Sequence, residues 1–409
     1  MRLPAQLRGG VRTLYDRTRR TMRIGHYDSR LGAQGGIASY MRRVGRAQER
    51  AGHDVCFLCR SNEGDEPLTV LEVADDRALF STARAQNLDV LHLHAPVETL
   101  PEGGRDRVPT LRTVHTHDGS CPSGSRYLKR SGQPCNRAYS VTGCLWGHLV
   151  DHCGSRRPHK TLANFQRIRQ EQAQAAALPT ITVSRFLKEQ MIRSGGPEEN
   201  LHVLRSPAPD VPGTFSPLPR QQPPHFVFAG RIEPQKGLDW LLRAVAEVEP
   251  DVRLDVAGTG DKQYLTQMNH LASDLGLQEQ VTFHGWLDEG EVYALIEQAR
   301  AVVVPSVWHE PAGLVTLEAA ALGRPVVASE VGGIPEYALD AFSLRVPPRD
   351  IDALAEAIGH LARNAEQAET MGRRGYGLAQ SEFAMDRFLR RLDALYDDIR
   401  RTAQQPASW

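Results

Sequence analysis

Short apolar, β-branched runs alternate with longer helix-compatible stretches along most of the chain, and this pattern constrains the fold more than any other feature. The alternation is typical of a parallel sheet covered by helices, because consecutive parallel strands need a crossover connection. It predicts six strands in each half of the chain. The predicted strands cover residues 22–28, 54–59, 90–95, 110–115, 180–184 and 201–205, and then 225–231, 252–258, 281–286, 301–307, 325–329 and 343–346.

The length of 409 residues exceeds what one core ordinarily organises, so we expect an α/β protein of two domains. A proline-rich segment separates the halves and predicts a linker, because proline fixes φ and removes a backbone donor. An apolar stripe near the end predicts an amphipathic helix. The predicted boundaries are 1–21 for a basic extension, 22–205 for the first domain, 206–224 for the linker, 225–385 for the second domain and 386–409 for the helix and tail.

Hydropathy excludes an integral membrane protein. Hydrophobic residues make up 41 % of the chain, but no apolar run approaches the roughly 18 residues that a membrane span requires. Residues 1–21 hold six arginines and one acid, and they lack the apolar stretch of a secretory signal. We therefore expect a cytoplasmic protein, and we expect no nucleic-acid partner. The basic extension is either a membrane-surface tail or a segment with no structural role.

The charge is unevenly distributed although the net charge is zero. Residues 1–210 hold 31 Lys and Arg against 21 Asp and Glu, whereas residues 211–409 hold 18 against 28. A basic first half suits an anionic acceptor, or peripheral contact with the inner face of an anionic membrane. Pairing of two oppositely charged domains explains the same asymmetry, and both interpretations stay open.

The most informative stretch is 308–320, which follows the predicted strand 301–307. Its proline and glycine, followed by good helix formers, predict a helix start. The backbone N–H groups of Gly313, Leu314 and Val315 would then be free to bind an anion such as a diphosphate. Two acids, Glu310 and Glu318, flank this position and can accept hydrogen bonds from hydroxyl groups.

These residues resemble a known family. The string Glu-Pro-Ala-Gly-Leu-Val-Thr-Leu-Glu-Ala at 310–319, with Gly-Arg-Pro-Val-Val-Ala-Ser at 323–329 and Gly-Gly-Ile-Pro-Glu at 332–336, is similar to the signature of retaining glycosyltransferase family 4. Gly230-Arg231 and Lys236-Gly237 resemble the family's Gly-Arg and Lys-Gly motifs. The resemblance implies the GT-B fold, in which two Rossmann-like domains face each other across a cleft, with the donor site in the C-terminal domain.

The resemblance also implies roles. Arg231 and Lys236, following Gly230, would hold the donor diphosphate, Glu310 would bind sugar hydroxyls, and Glu318 would bind the ribose. Because these cations and the helix start neutralise the phosphates, we expect metal-independent catalysis that requires no cofactor.

Two motifs in the first half match the family as well. Gly35 and Gly36 resemble its Gly-Gly loop, whose backbone approaches the diphosphate and the acceptor, although an ordinary βα turn is the alternative. Ser184 and Arg185 match a Val-Ser motif near the acceptor cleft. The segment 204–208 departs from the family's usual pattern, so the resemblance supports no inference about the hinge that follows the last strand of the first domain.

A histidine at the end of the fourth strand faces the donor sugar in this family, and two candidates compete. His115 lies six residues before Cys121, which begins the string Cys-Pro-Ser-Gly and fits the family's frequent spacing. We therefore assign the role to His115. His117 or Asp118 would instead touch the acceptor, and a loop histidine without function is the remaining alternative.

The cysteines are open to more than one interpretation. Cys121, Cys135, Cys144 and Cys153 lie in a polar insertion, where they would bind structural zinc or stay as free, redox-variable thiols. Their long, unequal spacings lack a paired Cys-x-x-Cys. Cys56 and Cys59 lie in a predicted strand and point to opposite faces, which speaks against a shared metal.

The predicted activity is that of a retaining hexosyltransferase. It moves a sugar from a nucleoside-diphosphate sugar, with UDP-sugar favoured, to a glycan or a lipid-linked saccharide in cell-surface polysaccharide synthesis. The alternatives are a GT-B sugar-nucleotide epimerase or phosphorylase, and a non-catalytic sugar-nucleotide-binding subunit. The presence of both Glu310 and Glu318 speaks against an epimerase.

Overall fold

The computed structural model describes residues 21–32, 35–64, 68–101, 108–211 and 213–404. The predicted extension 1–21 therefore lies outside the described residues except for Thr21. The chain divides into two compact units. The first comprises the described residues of Met1–Leu93, Thr99–Thr110 and Asp398–Trp409, and the second comprises His94–Glu98 and Leu111–Asp397. The predicted domain boundaries at 205 and 225 stay a prediction.

In the first unit, four parallel strands lie in the order β5-β3-β1-β6. Strands β2 and β4 form a separate short parallel pair. Strand β5 was not among the predicted strands, because it is a short edge strand of exposed and half-buried residues. The elements are β1 Arg23–Tyr27, β2 Arg30–Leu31, α1 Gly36–Arg50, β3 Asp54–Cys59, β4 Ser61–Asn62, β5 Thr69–Glu72, α2 Asp76–Ala85 and β6 Val90–Leu93.

The second unit begins with three parallel strands in the order β7-β10-β11. A long insertion separates β7 from α4 and contains only short elements, including a π-helical turn at Gly147–Asp151. The elements are β7 Thr110–Val114 (from Leu111 in this unit), β8 Tyr127–Leu128, β9 Gln133–Pro134, α3 Val141–Trp146, α4 Pro158–Ala177, β10 Thr180–Thr182, α5 Arg185–Arg193 and β11 Leu201–Val203.

The same unit contains a six-stranded parallel sheet in the order β14-β13-β12-β15-β16-β17. This is the doubly wound order 3-2-1-4-5-6 of nucleotide-binding Rossmann sheets. The elements are β12 His225–Ala229, α6 Leu238–Val245, β13 Arg253–Ala257, α7 Lys262–Asp274, β14 Val281–Gly285, α8 Glu289–Gln298, β15 Ala301–Val304, α9 Leu314–Ala321, β16 Val326–Ser329, β17 Ser343–Val346, α10 Ile351–Arg363, α11 Ala365–Ala379 and α12 Met385–Gln404 (to Asp397 in this unit).

Burial explains why these strands form. The central strands β12, β15 and β16 are lined by buried Val, Phe and Ala on both faces, as expected when helices cover both sides of a parallel sheet. Strand β15 ends at Val304, three residues earlier than predicted, because Pro305 has no N–H to continue the ladder. The helix predicted within 386–409 is confirmed as α12, whose apolar stripe includes the buried side chains of Leu389 and Leu392.

Among the helices that the structure describes, none combines the length and apolar character needed to cross a membrane.

Candidate functional site

The six-stranded sheet reverses its strand order between β12 and β15. Ligands of doubly wound sheets bind at the carboxyl ends of the strands on either side of such a reversal. The loop after β12 carries Gly230, Arg231 and Lys236, and the loop after β15 carries Glu310 and Gly313. The topology therefore brings both sequence motifs of the predicted donor site to one position.

Lys236 is fixed by the packing of these two loops. It ends a 3-10 turn, and the next residue, Gly237, has a φ of 74° that favours glycine. A Cβ on Gly237 would lie 2.0 Å from the carbonyl oxygen of Pro305, so only glycine allows the loops to pack this closely. The indole N–H of Trp240 donates to the same carbonyl at 2.7 Å. The turn is thus held against the loop that carries Glu310.

Across this contact, Nζ of Lys236 donates to Oε1 of Glu310 at 2.7 Å. The hydroxyl of Ser306 donates to the same carboxylate oxygen. The Lys236 ammonium also lies 5.7 Å from the ring centroid of Trp308, within the range of a cation–π contact. The sequence analysis did not predict Ser306 and gave Trp308 no role. The available signal for Ser306 was its position directly after a buried strand and Pro305.

The backbone around Glu310 is fixed as well. The N–H of Gly333 donates to the carbonyl of Glu310 at 2.7 Å. Gly332 has a φ of 60°, and a Cβ there would lie 2.5 Å from that carbonyl oxygen. The paired glycines of the 332–336 motif therefore allow the chain after β16 to pack directly on Glu310, whose residue surface is only 8 % exposed.

Helix α9 begins next to this carboxylate. Gly313 is its N-cap residue and provides no side-chain cap, as the sequence predicted for the helix start. In the part of the chain that the structure describes, the backbone N–H groups of Leu314 and Val315 have no acceptor. Such N–H groups, with the positive end of the helix dipole, form an anion-binding position. Glu318 lies in the second turn of the same helix and is half-buried.

Arg231 is more exposed than the other predicted phosphate ligands. Its guanidinium donates to Oε1 of Glu233 at 2.9 Å, and 63 % of the side chain is exposed. The preceding glycine, Gly230, packs against Gly258, where a Cβ would lie 1.8 Å from the carbonyl oxygen of Gly230. The structure thus pairs Lys236 with Glu310 but pairs Arg231 with Glu233.

The two competing histidines have different environments. Nε2 of His115 lies 3.0 Å from Nδ1 of His94, the two rings are stacked, and part of His115 remains exposed. Burial of the ring, and then the charge of Arg112, lowers the pKa of His115 to about 3. His115 is therefore a neutral imidazole at physiological pH.

His117 is completely buried. Its Nε2 lies 2.5 Å from the carbonyl oxygen of His309, which only accepts, so Nε2 carries the hydrogen and Nδ1 is left without a partner. Burial is the main cause that lowers the pKa of His117 to about 3. Asp118, the third candidate, contacts Arg167 at 3.2 Å. The alternative in which His117 touches the acceptor does not fit its burial; its ring instead supports the residue before Glu310.

The start of helix α5 contacts the same region. The Ser184 hydroxyl donates to the carbonyl of Pro311 at 2.6 Å and accepts from the N–H of Leu187 at 3.1 Å. The carboxylate of Glu336 accepts from the N–H groups of Arg185 and Phe186, both at 2.8 Å. The Val-Ser motif and the last residue of the 332–336 motif therefore meet at the start of α5.

Gly35 and Gly36 lie in the first unit, at the start of α1. Gly35 is the N-cap residue with a φ of 118°, a conformation that favours glycine. Both glycines are exposed, and the preceding residues 33–34 lie outside the described residues. Their predicted approach to the diphosphate stays a prediction.

Two family models match the chain. One, described as Glycosyltransferase Family 4, matches residues 34–207, and the other, described as Glycosyl transferases group 1, matches residues 214–377. The chain belongs to glycosyltransferase family 4. The predicted family is thus confirmed.

Relatives and solved structures agree with this assignment. Glycogen synthase of Mycobacterium tuberculosis is 26% identical over 401 residues, covering 91% of this chain and 93% of that protein. A GDP-mannose-dependent alpha-(1-6)-phosphatidylinositol monomannoside mannosyltransferase of Mycolicibacterium smegmatis is 33% identical over 211 residues, covering 46% and 54%. Anabaena HepE in complex with UDP-glucose matches with a TM-score of 0.66 at 15% identity, covering 92% and 100%. The chain is a glycosyltransferase with the GT-B fold.

Proposed function

We propose that this glycosyltransferase moves a sugar, with retention of configuration, from a nucleoside-diphosphate sugar to a saccharide acceptor. The observation that carries the proposal is the Lys236–Glu310 pair beside the uncapped start of α9, at the strand-order reversal of the sheet. A cation and free N–H groups suit a diphosphate, and a fixed carboxylate suits sugar hydroxyls. Without a donor, the two side chains neutralise each other.

In this proposal, Lys236, Arg231 and the N–H groups of α9 bind the diphosphate and stabilise the negative charge that develops as it leaves. Glu310 orients the sugar through its hydroxyls, and Glu318 binds the ribose. The neutral imidazole of His115 provides a hydrogen-bond partner for the donor sugar at the strand end.

The chemical step is a front-face substitution at the anomeric carbon. The bond from C1 to the diphosphate oxygen breaks and its electron pair stays on that oxygen, while the acceptor hydroxyl oxygen forms the new bond to C1 on the same face. The hydroxyl proton passes to the leaving phosphate. The α or β configuration of the product, read by NMR against that of the donor, tests the proposed retention.

The first choice of donor is a UDP-sugar, supported by the solved structure of Anabaena HepE with UDP-glucose. The mannosyltransferase relative makes GDP-mannose the alternative. A thermal-shift screen of UDP-, GDP- and ADP-sugars separates them, because a ligand that binds the native state raises its apparent melting temperature. We expect the largest shift with a UDP-sugar; no shift with any nucleoside-diphosphate sugar would contradict the proposed donor class.

Catalysis should need no metal ion, because Lys236, Arg231 and the start of α9 together supply the neutralising charge. Initial rates measured within minutes of adding EDTA should be nearly unchanged. Loss of most activity that Mg²⁺ or Mn²⁺ restores would contradict this part of the proposal.

For the acceptor, we propose a lipid-linked saccharide at an anionic membrane surface, contacted by the insertion between β7 and α4. Trp146 and Leu149 are each 61% exposed, and Leu162 at the start of α4 is 60% exposed. Residues 119–160 hold seven Lys and Arg against a single acid, Asp151. Exposed aromatic and aliphatic side chains beside excess positive charge suit an anionic bilayer interface.

Co-sedimentation with vesicles tests this surface. We expect the chain to bind vesicles containing about 30 % anionic phospholipid and to bind neutral vesicles weakly. The double variant Trp146→Ser, Leu149→Ser should lose vesicle binding but keep turnover of a water-soluble acceptor. Equal binding of the variant and the wild type would contradict the proposed surface without affecting the donor site.

A further inference from the structure

Two arginines hold three consecutive carbonyl groups of the insertion between β7 and α4. The guanidinium of Arg126, a residue that is only 2 % exposed, donates to the carbonyls of Cys135 and Arg137, both at 3.0 Å. The guanidinium of Arg193 donates to the carbonyl between them, that of Asn136, at 3.2 Å. These residues lie between β9 and α3 and form neither helix nor strand, so no ladder of backbone bonds fixes them. The two arginines fix this backbone instead.

The side chain of Asn136, in the middle of this segment, is fixed as well although the residue is exposed. Its Oδ1 lies 2.7 Å from Nε2 of His309. Burial, and then the charges of Arg126 and Arg193, lowers the pKa of His309 to about 4, so its ring carries one hydrogen at neutral pH. Because an amide oxygen only accepts, that hydrogen lies on Nε2 and is donated to Asn136.

His309 is itself a fixed partner. It is 9 % exposed, and its ring packs on that of Phe186 with the two centroids 4.9 Å apart. Its carbonyl accepts from the buried ring of His117. The oxygen of the Asn136 amide is therefore bound to a ring that the fold holds in place.

This bond leaves the NH₂ group of the Asn136 amide unused. Among the described residues, none accepts a hydrogen bond from it. Because the amide is planar, fixing its oxygen also fixes the directions of its two N–H bonds. A donor group held in one orientation by buried neighbours binds a ligand at a lower entropic cost than a mobile one. An exposed amide supported in this way is typical of a substrate-binding residue.

The position of Asn136 indicates which substrate it would meet. Its partner His309 directly precedes Glu310, and the insertion begins after the strand end that carries His115. In the proposed function both residues contact the donor sugar, and the insertion contacts the acceptor. A saccharide acceptor offers hydroxyl and ring oxygens, which accept hydrogen bonds from amide N–H groups.

We propose that Asn136 is a specificity-determining residue that binds the saccharide acceptor through its side-chain N–H groups. This role rests on the proposed function and adds an acceptor contact to it. Arg126, Arg193 and His309 are positioning residues, because they act through Asn136.

The ratio of transfer to hydrolysis tests the proposal. Release of UDP from UDP-glucose, or of GDP from GDP-mannose, is measured first with water as the only acceptor. It is then measured with octyl glycosides of glucose, galactose and mannose, each below its micelle concentration. Asn136→Asp keeps the oxygen that faces His309 but replaces the NH₂ group with a second oxygen. We expect it to lower kcat/KM for the glycoside by about 10-fold or more, with hydrolysis and melting temperature close to those of the wild type.

Two further variants separate substrate binding from a structural role. Gln133→Ala changes another exposed residue of the same insertion and should alter neither rate. Asn136→Ala removes the bond to His309 together with the N–H groups, and should lower transfer more than hydrolysis. Equal losses of transfer and hydrolysis in Asn136→Ala would show that the residue only supports the loop of Glu310, and would overturn the proposal. Wild-type transfer by Asn136→Asp would overturn it too.

A second measurement needs no turnover. In a chain labelled with ¹⁵N-asparagine, the side-chain NH₂ signal that disappears in Asn136→Asp belongs to Asn136. We expect at least one glycoside of the panel to shift this signal in a saturable way, and to leave that of Asn200, which donates to α4 carbonyls, unchanged. No shift with any of the glycosides overturns the proposal. A saturable shift in a chain that releases neither UDP nor GDP would support the acceptor contact and contradict only the proposed donor reaction.

Discussion

Two helices of the second unit, α5 and α9, differ in how the backbone N–H groups at their starts are bonded. At α5, the Ser184 hydroxyl and the Glu336 carboxylate accept from three backbone N–H groups, so the start of the helix is closed by protein atoms. At α9, Gly313 provides no side-chain cap. Each start has a glutamate nearby, but Glu336 binds helix amides, whereas Glu310 is held by Lys236 and Ser306.

The difference separates a structural role from a binding role. A helix start left uncapped forgoes roughly 0.5–2 kcal/mol of stabilisation that a capping side chain supplies. At α9 this omission coincides with a lysine, a fixed carboxylate and the strand-order reversal of the sheet. We infer that the free N–H groups of α9 are kept for a ligand, and that those of α5 are used to hold the fold.

The largest expected effect comes from the carboxylate at the uncapped helix. Glu310→Gln keeps the shape but removes the charge, and should lower kcat by about 10²–10³-fold. Binding of the free nucleoside diphosphate should stay equal or tighten, because Lys236 loses its competing partner. Glu318→Ala, in contrast, should weaken that binding, since a ribose contact is made equally in ground and transition states. Kinetics and calorimetric titration check both; identical effects of the two changes on nucleotide affinity would refute the assigned roles.

His115 and His117 provide a second comparison between a binding role and a structural role. His115→Ala should lower turnover by about 10²-fold with little change in melting temperature, because a positioned polar group is lost from a partly exposed site. His117→Ala should instead destabilise the fold by about 1–3 kcal/mol, because it leaves the buried His309 carbonyl without a donor. Steady-state kinetics and thermal melts of both variants check this. If His117→Ala abolishes turnover in a chain of normal stability, the catalytic assignment moves to His117.

A smaller effect is expected at the capped helix. Glu336→Ala removes two hydrogen bonds to the start of α5 and should destabilise the fold by about 1–2 kcal/mol, with kcat retained at low temperature. Glu330→Ala is the matched control, because the Glu330 side chain is mostly exposed and its only described ion pair is 3.9 Å long. Thermal melts and activity at 15–20 °C compare the two. A Glu336→Ala variant of normal stability but without activity would place Glu336 in the binding site instead.

The last effect concerns the pH dependence of stability. Burial lowers the pKa of His117 from its ordinary value of about 6.5 to about 3, so the unfolded chain binds one more proton than the folded chain between these values. The stability contributed by neutral His117 is complete above pH 6.5 and is lost as the pH falls towards 3, by up to about 1.4 kcal/mol per pH unit. His117→Gln should therefore lose less melting temperature than the wild type between pH 7 and 5. Parallel losses would show that His117 does not contribute.

The sequence predicted most strands and the start of helix α9 in the donor motif, because the signals for both are local. Alternating apolar runs located twelve strands, and the glycine and proline of 308–320 located the start of α9. It missed β5, whose exposed and half-buried residues carry too weak a pattern, and the two-residue strands β2, β4, β8 and β9.

What the sequence could not predict are contacts between distant residues. Nothing local indicates that Ser306 and Lys236 share one carboxylate oxygen, or that Glu336 caps α5 across about 150 residues of chain. The burial of His117 against His309 is likewise a tertiary contact. The sequence alone could therefore rank His115 above His117 as the catalytic candidate but could not separate their environments. In the same way, the unequal spacings of the four cysteines of the insertion gave no sign that all four line one cavity.

The central claim is that Lys236 and the uncapped start of α9 hold the donor diphosphate. Calorimetric titration of the wild type with UDP and with uridine, which lacks the phosphates, tests it directly; GDP with guanosine replaces them if the donor is a GDP-sugar. We expect the diphosphate to bind at least about 100-fold more tightly than the nucleoside, and Lys236→Met to remove about 10- to 100-fold of that difference while leaving nucleoside binding unchanged. Lys188→Met, a lysine of α5 with a long ion pair to Glu198, is the control and should change neither affinity. Equal binding of diphosphate and nucleoside, or equal weakening of both by Lys236→Met, would contradict the claim.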